Sequence, residues 1–273
     1  MVGTKHLWIG RCIMRNRKRN HGRFKYYLLL MKSKLSFRYT LLIIFFIIVL
    51  AFTRQVIVSS DSLEREIKAS LHGKEYIIDY TREGKVVYVL ISQTGEREYG
   101  DLFTVYLQKE HGEWERAYEN DFKGINPWKI ETADIDGCGE KEILIAVKKT
   151  THFDAQEKNR LFIFNYIDGK LVKKWTGSQI AGNWKDFYVG DLLPIKGNEL
   201  IFIELTEEER QRISVYYWFD FGFLALASSE DYYDIGKLSI LDENRIQITC
   251  RIKNHKKIIL LEIKDQKMVE VIR

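Results

Sequence analysis

Few residues of this 273-residue chain are typed and spaced for chemistry. The six histidines are His6, His21, His72, His111, His152 and His255, and the last four each sit in a polar stretch. No HExxH, GxSxG, P-loop or GxGxxG pattern is present, so the metalloprotease, serine-hydrolase, nucleotide and dinucleotide signatures are missing. Cys12, Cys138 and Cys250 form no CxxC pair and are too few for a disulfide framework. The acidic runs Glu207–Glu209 and Glu230–Asp234 read as hairpin tips turned to solvent rather than as paired catalytic carboxylates. The densest chemical grouping is Ala133-Asp-Ile-Asp-Gly-Cys-Gly-Glu-Lys-Glu142, where Asp134, Asp136, Cys138 and Glu142 crowd one glycine-containing turn. In such a turn short Asp side chains can cap the backbone amides that follow them. Trp128 and Trp184 hold like positions in successive segments and are expected to staple neighbouring sheets together.

The elements that must position these residues are strands. Aromatic residues make up 13% of the chain, and from residue 74 onward short apolar runs alternate with turn residues. Four segments share one order of strands. The second strands of the segments begin their apolar runs at Val86, Ile143, Leu200 and Ile246. The third strands begin at Leu102, Leu161, Ile213 and Ile258, with a polar loop expected at 148–159. Units of four antiparallel strands at 40 to 60 residues per repeat are the pattern of propeller blades. A sheet that is apolar on both faces needs a neighbour on each side, and the nearly continuous apolar second and third strands demand such cover. The expected fold class is therefore all-β, a β-propeller-like array of about four four-stranded antiparallel blades over 74–273. A β-sandwich or an open stack of meanders is the alternative. Residues 61–71 suit a helix, with Leu63, Ile67 and Leu71 on one face.

The stretch Ala133–Val147 resembles the FG-GAP/VCBS repeat of integrin-alpha-type β-propellers. That repeat closes its inner strand with a calcium loop, Asp-x-Asp-x-Asp-Gly-x-x-Asp/Glu, and then enters an apolar strand. The resemblance implies calcium as cofactor, held by Asp134 and Asp136 at the first and third loop positions and by Glu142 at the ninth. The fifth position departs from the pattern, because Cys138 offers a thiol to a hard cation that prefers oxygen. In the third segment Asp191 keeps the first position while Leu193 and Ile195 replace the next two, so no calcium is expected there. The calcium reading and the amide-capping reading of Asp134–Glu142 both remain open at this stage.

Charge divides the chain. Residues 1–39 carry eleven Lys and Arg and no Asp or Glu, while the whole chain carries 43 basic and 38 acidic residues, which leaves 40–273 acidic by six. The basic stretch runs into Leu41–Phe52, which has no polar side chain. Basic tail, apolar run and acidic body predict a transmembrane signal-anchor at 39–58, with tail 1–38 cytoplasmic and the C-terminal domain outside the cell membrane. A cleaved secretory signal is the other reading, and Met31 is an alternative start. Residues 59–73 would form a stalk. The expected partners are the membrane, through the N-terminal helix, and a protein or glycan outside it, with no nucleic acid. With no catalytic constellation in view, the expected function is non-enzymatic, a binding or scaffold module. The alternative is a carbohydrate-active or other hydrolytic enzyme using the propeller funnel, which requires carboxylates and aromatics to converge at one end of the axis.

Overall fold

The computed structural model describes residues 39, 42–47, 63–177, 180, 182–241, 244–252 and 255–271. The chain divides into two units, Met1–Arg65 and Glu66–Arg273. Of the expected anchor at 39–58, only residues 39 and 42–47 are described, and they are helical and exposed. The rest of it, the tail 1–38 and both candidate starts lie outside the described residues. Among the described residues no helix is long and apolar enough to cross a membrane.

Among the described residues the second unit is built of sixteen strands. The first sheet is β1 (Tyr76–Glu83), β2 (Val86–Ser92), β3 (Leu102–Gln108) and β4 (Trp114–Asp121). The second is β5 (Pro127–Ala133), β6 (Glu142–Thr151), β7 (Asp154–Ile167) and β8 (Lys170–Trp175). The third is β9 (Asn183–Gly190), β10 (Glu199–Leu205), β11 (Gln211–Phe219) and β12 (Gly222–Ser228). The fourth is β13 (Ile235–Ile240), β14 (Arg245–Ile252), β15 (His255–Lys264) and β16 (Lys267–Glu270). Each sheet is an antiparallel meander in chain order, and one parallel bridge, Ser228 with Lys267, joins the third to the fourth.

Alternation along the second strands explains why the sheets stack. Ile143 and Ile145 face the first sheet and pack with Leu90, Phe103 and Val105. Leu144 and Ala146, one residue out of phase, face the third sheet and pack with Phe187, Leu200 and Phe202. On β10, Ile201 and Ile203 face the fourth sheet and pack with Ile246, Ile248 and Leu261. Each such Ile, Leu, Val or Phe side chain contributes about 1.5–3 kcal/mol of burial free energy, so a sheet greasy on both sides is held by its neighbours. The cores thus run from first to second, second to third and third to fourth sheet. Among the described residues no buried cluster joins the fourth sheet to the first.

The outer face of the first sheet has a different cover. Val87, Val89, Ile91, Leu102 and Tyr106 are buried yet belong to none of the three cores. The helix at 63–69, within the segment expected to be a stalk, lies here: Ile67 is fully buried, and the Ser70 hydroxyl donates to the Tyr106 hydroxyl at 3.0 Å. The outer face of the fourth sheet carries Ile258 at 64% exposure.

The expected polar loop at 148–159 is instead a long hairpin. β6 and β7 pair through Lys148 with Asn159, Lys149 with Lys158 and Thr151 with Asp154. Both faces of this extension are polar, which hid its strand character, and Asp154 ties it together by ion pairs with Lys158 and Arg160.

Two β-bulges recur from sheet to sheet. First strands carry an extra residue at Ile78 in β1, Trp128 in β5 and Lys185 in β9, and β13 is irregular between Ile235 and Leu238. Last strands carry one at Ala117 in β4, Lys174 in β8 and Leu226 in β12. Bulges re-aim the side chain they insert, and both candidate sites below are made by them.

Candidate functional site

The loop between β5 and β6 holds Asp134, Asp136, Cys138 and Glu142. One oxygen of Asp134 accepts from the Cys138 amide at 3.0 Å and the other from the Gly139 amide at 2.9 Å. Asp136 Oδ1 also accepts from the Cys138 amide, at 3.1 Å. Glu142 is fully buried beneath the loop, and its Oε2 accepts from the Ile135 amide at 3.0 Å. The second oxygens of Asp136 and Glu142 are both taken by the ammonium of Lys174, the bulged residue of β8. Asn165 Nδ2 reaches Glu142 Oε1 as well, at 3.5 Å. Burial alone would raise the Asp136 carboxyl, but Lys174 and the Cys138 amide outweigh it and hold the group below the usual carboxylate range. The Lys174 ammonium is disfavoured by burial and more than compensated by its two carboxylates, so its pKa lies above the ordinary lysine value.

The loop is also clamped from the next sheet. Asn198 donates its amide to the Asp134 carbonyl at 2.7 Å and accepts the Asp134 amide on its Oδ1 at 3.1 Å. Gly197 has φ of +85° and lies so close that a Cβ there would come 2.3 Å from the Ile135 carbonyl oxygen. Only glycine fits this approach.

Oxygens of Asp134 and Asp136 and the Cys138 sulfur lie within 4.8 Å of one another. A calcium ion wants six or more oxygens turned toward it. Every oxygen of Asp134, Asp136 and Glu142 already accepts a hydrogen bond from the protein, and an ammonium sits between Asp136 and Glu142. With Lys174 in place this donor set does not fit the ion.

The third sheet repeats the frame without the cation. Glu199 pairs with Gly190 as Glu142 pairs with Ala133, and its Oε2 accepts from the Leu192 amide at 2.8 Å, seven residues back as in the second sheet. The bulge position of Lys174 is here Leu226. Glu199 is fully buried, its Oε1 has no hydrogen-bond partner, and burial pushes its carboxyl pKa up.

The first strands are linked by polar rungs that sequence reading missed. Asp79 on β1 accepts from the Ile130 amide on β5 at 2.9 Å. Lys129 on β5 donates to Asp186 at 2.9 Å and to the Phe187 carbonyl at 2.6 Å, both on β9. Lys185 on β9 donates to the Ile235 carbonyl on β13 at 3.0 Å. Beside Lys129 stands Glu131, at 3.9 Å. Burial raises both Asp79 and Glu131 above the usual carboxylate range; Lys129 opposes this, and the neighbouring carboxylates, Asp186 among them, add to it. Asp79, Glu131 and Asp186, each from a different sheet, thus share one field.

The bulged residues of these same strands, Ile78, Trp128 and Lys185, open together onto a cavity of about 290 Å³. Arg97, Glu98, Tyr99, Lys148 and Asn159 complete its wall. Trp128 also packs against the buried Trp184, the rings tilted by 40° with centroids 6.0 Å apart, so the pair joins the second and third sheets. Lys148 donates to the Tyr99 hydroxyl at 3.1 Å. Arg97, Lys148 and Lys185 outnumber Glu98 on this wall, with the Lys185 ammonium also 3.6 Å from Asp234, so the wall is basic on a body that is net acidic. A larger depression of about 480 Å³ shares Lys148 and runs along Lys149–His152. It is bounded by Gly124, Asn126 and residues of the long hairpin, and no bulged residue reaches it.

No family model matches the chain, and no curated protein matches it. Solved structures do. A 6-phosphogluconolactonase candidate from Bacteroides fragilis is 13% identical, with 70% of this chain and 68% of that one covered and a TM-score of 0.38. An exo-β-1,3-galactanase from Phanerochaete chrysosporium with β-1,3-galactotriose is 10% identical, with 68% of this chain and 46% of that one covered and a TM-score of 0.42. The chain therefore spans less than half the length of the galactanase. A Xanthomonas type IV secretion system related protein is 12% identical over 73% of this chain and 93% of that one, with a TM-score of 0.27. At these scores the likenesses carry no argument about what this chain does.

Proposed function

We propose that residues 66–273 form a non-enzymatic binding module that seats an anionic group of a glycan in the basic cavity at the bulged first strands. Residues 39–58 would hold it at the membrane, a reading supported by the one-sided run of eleven cations before the apolar segment. The observation that carries the binding reading is the convergence of Ile78, Trp128 and Lys185, each the extra residue of its strand, on one wall with Arg97 and Lys148. Aromatic faces suit sugar rings, and Arg and Lys suit carboxylate or sulfate groups. Titration calorimetry of the full chain in mild detergent tests it, with uronic-acid, sulfated and neutral oligosaccharides as probes. Binding of an acidic probe, loss with rising salt, and at least a tenfold weakening in Lys148→Glu are expected. Equal affinity for neutral probes, no binding of any, or an unchanged Lys148→Glu would overturn it.

A hydrolytic reading has one observation of its own: Glu131 carries a raised carboxyl beside Asp79 and Asp186, a pattern suited to a general acid. On that reading the chain releases reducing ends from an oligosaccharide and Glu131→Gln abolishes the release. Absence of any turnover on a broad glycan panel leaves the binding reading alone.

A further inference from the structure

We infer that Lys174 is the resident cation of the Asp134–Glu142 loop, so that the loop keeps its form without calcium. The comparison within the molecule carries this. The second and third sheets share the buried glutamate, the amide it caps seven residues back, and the bulge on the last strand. Where the bulged residue is Lys174, both oxygens of Glu142 are satisfied and Asp136 is drawn to the same ammonium. Where it is Leu226, one oxygen of Glu199 has no partner. The bulge therefore delivers the charge, and only one of the two sheets has a charge to deliver. An ammonium provides one positive charge and up to three donors, which matches two second oxygens on separate carboxylates. It also fills the space a divalent ion would need, and Trp218 closes over it with its ring centroid 5.6 Å from Nζ.

The test is thermal melting of the full chain in detergent, in excess calcium and in chelator, for the wild type, Lys174→Met and Lys174→Arg. The wild type is expected to melt at one midpoint in both. Lys174→Met keeps the aliphatic stem but leaves two carboxylates facing each other, so its midpoint in chelator should drop by roughly 5–10 °C and recover in part with calcium. Lys174→Arg should be insensitive to calcium like the wild type. A wild-type midpoint that rises with calcium would overturn the inference, whatever the variants do. So would a Lys174→Met protein as stable as the wild type in chelator. If Lys174→Met does not fold, calcium titration calorimetry of the wild type decides alone, and heat of specific binding would count against the inference.

Discussion

Glu199 is a carboxyl that folding has buried with only one of its oxygens hydrogen-bonded. Desolvation favours its neutral form, so its folded pKa lies above the unfolded value of about 4.3. The folded state then holds its proton more tightly than the unfolded one. Its contribution is most favourable below the unfolded pKa and is lost as pH rises through the folded pKa. Glu199→Gln keeps an acceptor for the Leu192 amide and has no charge to bury. Chemical denaturation should find it more stable than the wild type at pH 7, by about 1–2 kcal/mol. The difference should shrink as pH falls toward 4. A variant less stable than the wild type at pH 7 would mean that Glu199 is charged and paired there. None of this could be read beforehand, because Glu142 and Glu199 look alike in sequence. Their difference lies in a residue 27 to 32 positions further on, on a strand whose bulge leaves no mark in a string such as Lys170-Leu-Val-Lys-Lys-Trp175.

Strands were the legible level. The apolar runs at Val86, Ile143, Leu200 and Ile246 open second strands, as expected, because burial on both faces forces continuous apolar character. The hairpin at 148–159 was illegible for the opposite reason: a strand pair that extends beyond its neighbours is wet on both faces and looks like a loop. The helix at 63–69 was foreseen as an element but not in its role. Its Leu63 and Ile67 face announces a partner without naming one. In the structure Ile67 is fully buried, and Ser70, three residues on, donates to Tyr106 on the outer face of the first sheet, where Val87, Val89 and Ile91 are buried as well. Ile67→Ala should therefore cost about 2–5 kcal/mol in chemical denaturation, the range for a large-to-small change in a core. A loss below 1 kcal/mol would mean that the helix only rests on the sheet.

At the scale of the second unit, the sixteen described strands condense into four meanders, each packed through an apolar face on the next. The period was visible because turns and apolar runs recur. The way the succession is terminated was not, since nothing local distinguishes a sheet followed by another from a sheet followed by a helix. The polar rungs Asp79 to Ile130, Lys129 to Asp186 and Lys185 to Ile235 escaped notice for the same reason. Each involves residues about 50 apart that an isolated strand gives no cause to pair.

The extra residue in each first strand sets the parity of everything after it. Up to Trp184 the odd and even positions of β9 answer to one assignment of faces, and beyond Lys185 to the other. Removing that single residue would leave Asp186 and Phe187 in their order but trade their sides, turning the carboxylate toward Trp184, Leu200 and Phe202 and the phenyl ring away from them. The repeats must therefore vary by substitution at these corners and not by length, which is why Ile, Trp and Lys can each occupy the same corner while the corner itself stays.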